Sequence, residues 1–387
     1  MNFIGVDLHK KIITVCVMNE NRAVLARKTL YCIQPDQIVM FFRQFRPFKV
    51  VVEATASYLW LVELLDPLAE KVILANPNKL RVIAESTKKT DRLDAQILAE
   101  FLARDMIPEA YMPTLRQRQH RILVRHRQNL KACQTSVRCR MHHMLADHNA
   151  DRKDLFSAQC DKAYLKGVPL SDSERFVLRQ LWSEFQAYQA QLLALAKKIK
   201  AFADKAAKRE AEARKILKTA PGVGTVTAEV ILSELGDVSR FRNAKAVCSY
   251  AGLAPVVKQS GGKRSKDLAI SKQGSGLLRW ALVESAWRLV RNNLKWSAIF
   301  ARLRQGRGSK RAIVAVARKF LCVLYAMLKT STPYRILPTA AKTPKTSRKR
   351  VVRVSTPEEI VPADTDATET RRSTSARRST PKQTITT

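Results

Sequence analysis

A chain of 387 residues, 46% of them hydrophobic, has enough apolar material for two or three cored domains, which excludes a largely disordered polypeptide. Its formal net charge of +37 asks for a polyanionic partner, nucleic acid first, although a ribosomal protein or a histone-like packager would share that balance with an enzyme. The seven cysteines are odd in number and form no CxxC pair, so reduced thiols of a cytosolic protein are expected in place of a disulfide framework.

No apolar leader opens the chain. The most apolar stretch, Ile313–Leu328, is interrupted by Arg318 and Lys319 and is too short to span a bilayer. A cytoplasmic, nucleoid-associated protein with no membrane contact is the expectation. The charge is uneven: residues 1–105 carry 15 basic and 12 acidic side chains, so nearly all of the positive surplus follows them. A near-neutral part for chemistry and a basic remainder for holding a polyanion fit that division.

In chain order, residues 2–8 (NFIGVDL) read as a buried strand. Ile12–Met18 and Val24–Tyr31 follow after short turns, which predicts an antiparallel meander. A helical stretch leads to Lys49–Glu53 (KVVVE), an apolar run suited to a covered central strand. Leu59–Leu68 reads as helix and Lys71–Leu74 as strand. Thr90–Arg104 reads as an amphipathic helix with Leu93, Ile97, Leu98, Phe101 and Leu102 on its core face. This order predicts an α/β, RNase H-like (RuvC-like) domain over residues 1–110.

Four acids punctuate that domain. Asp7 interrupts the first strand close to Gly5, Glu53 ends the central strand, and Asp91 and Asp94, three apart, share a helix face. In an RNase H-like fold these positions converge, and carboxylates so gathered repel unless cations hold them. Two Mg2+ (or Mn2+) ions about 3.5–4 Å apart suit hard oxygen donors, and such pairs cut phosphodiesters by activating the nucleophile and stabilising the leaving oxygen. Plainer roles exist: Asp91 and Asp94 follow Thr90 at a helix start, where capping and the helix dipole favour acids, and Glu53 could be a lone strand-end acid.

Residues 111–215 read as a basic helical and coiled-coil segment. From Arg116 to Lys153 ten basic residues stand against two acids, with five histidines among them. Phosphate contact through Arg121, Arg125 and Lys131 is expected, with a solvated helix face as the alternative. Cys139, His142, His143 and His148 superficially resemble a zinc set, but their spacing fits no common finger. Leu178, Leu181, Phe185, Tyr188, Leu192, Leu195, Ile199 and Phe202 step alternately by three and four, a heptad seam. Such a seam packs within the chain or joins two copies, and its length and strictness favour a dimer.

Residues 216–332 read as a mainly helical unit. Its opening, ILKTAPGVGTVTAEVI, resembles a helix-hairpin-helix element, in which Gly222 and Gly224 let the backbone approach a phosphate and the next helix offers its first N–H groups. An ordinary packing corner is the alternative. Residues 333–387 hold 23 Pro, Ser or Thr among 55 and a net charge of +7, the composition of a disordered basic tail.

The segments FIGVDLHK, VVVEATASY and KKTDRLDAQILAEFL resemble the N-terminal DEDD domain of bacterial transposases of the insertion-sequence-110 type, a domain similar to the RuvC Holliday-junction resolvase. The resemblance implies that Asp7, Glu53, Asp91 and Asp94 are the DEDD tetrad. Phe241-Arg242-Asn243, Ser249–Leu253, Ser260-Gly261-Gly262-Lys263 and Ile270-Ser271-Lys272 resemble the C-terminal domain of the same family, which contributes a serine nucleophile. Ser260 is the expected one, in a Gly-flanked loop with Lys258, Lys263, Arg264 and Lys266 around it and Lys272 nearby. The rivals are Ser249, Ser265, Ser271 and Ser275, and a loop that only grips phosphate is the plainer reading.

The resemblance covers roughly residues 2–110 and 215–300. It implies a recombinase that excises and inserts its own element. A structured non-coding RNA would pair with target and donor DNA, and the protein would work as a dimer or tetramer. A RuvC-like junction nuclease, a DNA invertase and an inactive DNA-binding derivative are the other readings.

Overall fold

The strands β1 (Asn2–Leu8), β2 (Ile12–Met18) and β3 (Val24–Tyr31) form the antiparallel meander, and β4 (Phe48–Glu53) and β5 (Lys71–Ala75) extend the sheet on its other side. The order is β3-β2-β1-β4-β5, with β1 parallel to β4 and β4 parallel to β5. The computed structural model describes residues 1–335 apart from 55–56, 78, 81–90, 158–159, 161, 257–258, 261–262 and 265–268. The side chains of Asp91, Arg92, Lys162, Gln259, Ser260, Lys263, Arg264 and Arg307 lie outside the described set, as does the whole expected tail from 336 onward.

Period-two alternation sorts the two sheet faces. Ile4, Val6, Val15, Val50 and Val52 point to one side, where α1 (Pro35–Arg43) and α2 (Leu59–Leu65) bring Ile38, Phe42, Leu61 and Leu65 onto them. The opposite face takes α3 (Asp91–Ala103), whose Ala95, Leu98, Ala99 and Leu102 meet Cys16, Met18, Val51 and Ile73. Edge strand β3 is mostly exposed and carries Arg27 and Lys28, charges that discourage further strand pairing.

Gly5 sets how closely α3 approaches. A Cβ there would lie 2.1 Å from the Ala95 carbonyl oxygen and 2.5 Å from the Ala99 nitrogen. Both are backbone atoms and cannot rotate aside. Gly5→Ala is therefore expected to lift α3 from the sheet and cost about 3 kcal/mol. Urea unfolding checks this, and an unchanged midpoint would refute it.

Two helices of 33 residues follow, α4 (Leu115–Asp147) and α5 (Asp172–Asp204). Each is about 50 Å long at 1.5 Å per residue. The Thr114 hydroxyl caps α4 by accepting from the Gln117 backbone N–H. Ser171 and Glu174 form a reciprocal capping box on α5. The hydrogen bond from the Ser171 side chain, helped by His148, draws the Glu174 carboxyl down to about 2. The continuous helical reading of residues 111–172 stops at Asp147, because Asn149 adopts left-handed backbone (φ 51°). The described residues of 148–171 are then irregular apart from one 3-10 turn at Lys162–Lys166.

Half of the heptad seam finds a partner inside the chain, one of the two packings that the sequence leaves open. Leu178, Leu181, Phe185 and Tyr188 close on Val137, Met141 and Met144 of α4. At the other end of the pair, Phe202 stacks on His120 with ring centroids 5.3 Å apart and lies under the Arg116 guanidinium. The two helices thus form an antiparallel hairpin, and α4 supplies the apolar stripe that a second copy would otherwise have to offer. Phe185→Ala is expected to cost about 3–5 kcal/mol of stability with no change of mass in solution. A halved mass with unchanged stability would restore the dimer seam.

The C-terminal part packs α6 (Lys208–Thr219), α7 (Thr225–Leu235), α8 (Ala244–Tyr250), α9 (Gly276–Asn292) and α10 (Leu294–Thr330) around Leu217, Ile231, Leu235, Leu282, Leu289, Phe320 and Leu324. α10 is interrupted at Gly308, whose φ is 72°. α4 docks on this core through Val124, which meets Val230 and Ala281. Beside that contact runs a buried ionic chain: Arg214 donates to Glu229 at 2.6 Å, and His120 Nε2 lies 2.9 Å from the same carboxylate. Burial pushes Glu229 up, but its hydrogen bonds to His120 and Arg214 prevail and hold it below the ordinary carboxylate range.

Candidate active site

Val6 of β1 pairs with Val52 of β4 in parallel register, so Asp7 and Glu53, each the next residue, come level at the C-terminal ends of neighbouring strands. Alternation sends both carboxylates to the face covered by α3. Asp7 is only 7% exposed, and Thr14, its partner across β2, is buried as well. A buried carboxylate is costly without partners. The His9 imidazole supplies one, with Nε2 3.1 Å from the Asp7 Oδ2. Glu53 is half-buried at the strand end, paired in register with Ala75 of β5.

α3 begins at Asp91, and the half-buried Asp94 directly precedes the Ala95 seated on Gly5. The helix turn that carries these two acids therefore adjoins the strand face holding Asp7 and Glu53. Among the described residues no three His, Cys, Asp or Glu side chains stand together as a metal cluster, and the Asp91 side chain lies outside that set. Asp7, Glu53 and Asp94 offer carboxylate oxygens only, a chemistry that would fit a hard divalent ion such as Mg2+ or Mn2+ better than a thiophilic one.

Ser260 lies on β6 (Gln259–Ser260), which pairs antiparallel with β7 (Lys263–Arg264), Ser260 opposite Lys263. Gly261 and Gly262, between them, lie outside the described residues. The Pro255–Ile270 bridge closes the base of this arm. Two rival serines have other surroundings. The Ser275 hydroxyl accepts from Leu278 N–H as the cap of α9, and Ser249 sits on α8. Ser271 donates its N–H to Ala254, and the exposed Lys272 (φ 55°) donates its N–H to Gly252. Ser265 lies outside the described residues.

The basic segment divides by direction. Arg125 makes a two-pronged contact to Glu234 at 2.8 and 2.9 Å, and Arg121 donates to the Ser233 and Glu234 carbonyls and the Tyr250 hydroxyl. Within the chain their guanidinium groups bond α4 to α7. Lys131 faces elsewhere, donating to Gln134. Gly222 (φ 82°) is likewise needed internally, since a Cβ there would come within 2.8 Å of the Ser285 carbonyl oxygen on α9. Gly224 has no atom of the described residues within 4 Å of its would-be Cβ and precedes α7 at an exposed N-terminus. Of the histidines that resemble a zinc set, His142 pairs with Asp151 and His148 with Glu174.

Two residues of consequence, His9 and Glu234, are not among the candidates that the sequence offers. His9 stands two residues after Asp7 on the same strand path, which is signal enough to find it. Glu234 carries no local sign, because its partners lie over a hundred residues away.

Comparison with known proteins gives two family matches. Residues 4–149 match a DEDD family model described as transposase, and residues 214–301 match the transposase family IS116/IS110/IS902. Over 349 residues the chain is 25% identical to the transposase for insertion sequence element IS1111A of Coxiella burnetii, covering 87% of this chain and 92% of that protein. It is 28% identical over 309 residues to the pilin gene-inverting protein of Moraxella lacunata, covering 74% of this chain and 81% of that one. It is 26% identical over 295 residues to the transposase for IS1328 of Yersinia enterocolitica, covering 74% and 83%. Among the described residues no helix is long and apolar enough to cross a membrane.

Proposed function

The chain belongs to the IS116/IS110/IS902 family of transposases, enzymes that cut and rejoin DNA, and we propose that it does so with a carboxylate site in residues 1–110 and a serine carried by residues 216–332. Residues 111–215 serve as the helical spacer. The observation that carries this reading is the side-by-side placement of Asp7 and Glu53 at the ends of parallel strands, under the helix that brings Asp91 and Asp94. The mixed strand order and the acids at its strand ends support an RNase H-like, RuvC-like assignment.

Asp7, Glu53, Asp91 and Asp94 would hold Mg2+ or Mn2+, which when bound supplies charge stabilisation for a phosphoryl centre. The residues themselves have separable tasks. Asp7, buried and held by His9, presents one oxygen in a fixed direction. Glu53 offers a freer carboxylate beside it. Gly5 lets α3 seat Ala95 directly on β1, and Asp94, the residue before it, would join them on metal binding. Ser260, at a hairpin tip, attacks the phosphate: its Oγ bonds to phosphorus, the bond from phosphorus to the leaving sugar oxygen breaks, and the hydroxyl proton passes to a nearby base. Lys263, Arg264 and Lys272 neutralise the phosphate, and the open start of α7 at Gly224 binds backbone phosphate further along.

The substrate DNA is selected by a structured non-coding RNA that pairs with target and donor, and the net charge of +37 supports holding several polyanions at once. Two duplexes are exchanged, so the protein works as a dimer or tetramer. The first half of the heptad seam, Leu178 to Tyr188, packs on α4 and is not free for a second copy. The likeness to the pilin gene-inverting proteins favours one second reading, a site-specific invertase. A plasmid carrying the element ends, incubated with protein, Mg2+ and the element's transcript, separates the readings. Excised and rejoined circles support transposition, inverted segments support the invertase, and nicks without rejoining would overturn both.

A further inference from the structure

A cavity of about 510 Å3 opens between the middle turns of α4 and α5, and neither Asp7 nor Glu53 lines it. One wall is cationic. Arg127, Lys131 and Arg138 rise along one side of α4 at spacings of four and seven, and Lys153 joins them from the segment after α4. The other wall is apolar, with Leu192 and the 61% exposed Leu193 of α5 standing across from the charges. Asp154 is the one acid that lines it among the described residues.

The cations are poorly provided for. Arg138 Nε is buried and has no hydrogen-bond partner among the described residues, although its guanidinium carbon lies 4.5 Å from the Phe156 ring centroid. Burial, with Arg138 and Arg127 close by, holds the Lys131 ammonium below its ordinary range, and burial lowers Arg127 likewise. Like charges gathered in this way disfavour the empty cavity, and a bound anion reverses the sign. From Arg127 to Arg138 the charges span about 16 Å of helix, too long a row for one small anion and long enough for more than one phosphate of a strand. The apolar wall argues for exposed base faces. A duplex hides those faces in its stack, whereas an unpaired strand lays them on an apolar or aromatic surface.

We propose that this cleft binds an unpaired nucleic-acid segment, its phosphates on Arg127, Lys131, Arg138 and Lys153 and its bases against Leu192 and Leu193. The inference rests on the reading of the chain as a nucleic-acid enzyme, but it concerns a site that neither cuts nor contacts the carboxylates.

Fluorescence anisotropy on the full chain without Mg2+ tests it, with labelled oligouridylate and oligothymidylate strands and a duplex of mixed sequence. The combined variant Arg127→Gln, Lys131→Gln and Arg138→Gln is expected to weaken single-strand binding about tenfold or more and to flatten its salt dependence by about two logarithmic units, since each phosphate contact on a single strand contributes about 0.7. Duplex affinity should change by less than about threefold. Leu193→Glu, an exposed position that does not threaten folding, should also weaken single-strand binding while sparing the duplex. Equal losses on both probes, or none on the single strands, would overturn the proposal. If pyrophosphate displaced the strands and Leu193→Glu had no effect, the cleft would be a plain anion site and the base-facing wall would be refuted. Because binding is read without cutting, failure here leaves the transposase reading intact, and failure of cutting leaves this reading intact.

Discussion

Asp7→Asn and Glu53→Gln should each lower strand cutting by about a thousandfold or more, a loss of about 4 kcal/mol in transition-state stabilisation, while DNA binding stays within about twofold. Both substitutions keep the shape of the side chain and remove its charge. A carboxylate lost from a site that gathers a divalent ion removes a ligand, and the neutral amide oxygen replaces it poorly. The two positions should not fare equally in stability. Asp7 is buried next to His9 and Thr14, so its amide must find new hydrogen bonds in a closed place, whereas Glu53 is half-buried at the end of its strand. Thermal unfolding of each variant separates lost chemistry from lost structure. Cutting within about tenfold of the parent by a folded Asp7→Asn protein would mean that this carboxylate only braces the strand.

Ser260→Ala should remove every covalent protein–DNA adduct while leaving substrate binding in place. A carboxylate site that works with water releases a free strand end. A serine retains the phosphate in ester linkage on the protein, so that the reverse attack by a sugar hydroxyl can rejoin it. A substrate nicked near the cut site loses the strand that would reverse the step, and the linkage then survives denaturation. Ser260 lies on a strand that pairs with Lys263 and Arg264, and the bridged residues Pro255 and Ile270 lie on either side of that pair in the chain. Ser275 has a competing duty, since its hydroxyl accepts from the Leu278 N–H at the start of α9. If Ser260→Ala still forms the adduct, Ser271 inherits the role. Absence of any adduct with all serines intact would replace transfer with hydrolysis.

The sheet and its acids are legible in the sequence because strands advertise themselves locally. Alternation in FIGVDL places Asp7 opposite to Val6 and Leu8, and the run KVVVE ends on Glu53, so residue order alone assigns both acids to strand ends. Gly5 is legible only as an oddity, since its meaning depends on Ala95 and Ala99, some ninety residues later. The heptad seam shows that one face of α5 is covered, but a hydrophobic period cannot name what covers it. Val137 and Met141, spaced four apart within a very polar helix, are too sparse to announce themselves as the partner stripe. Charge fails in the same way. Arg121, Arg125 and Lys131 are alike in composition, yet the first two point to Glu234 across the chain while the third turns into a cleft.

The first turns of α4 also set a phase. Within eight residues, Arg118 reaches Glu63 on α2 while Arg121 and Arg125 reach Glu234 on α7, so one rigid rod is gripped by the carboxylate half and by the serine half of the protein. A helix converts sequence distance into angle, about 100° and 1.5 Å for every residue. One residue inserted between Arg118 and Arg121 would therefore swing one half about a quarter turn around the rod relative to the other, without touching any acid or serine. The spacing of those arginines acts as a timing mark, and the length of chain between the two halves can change there only by whole turns.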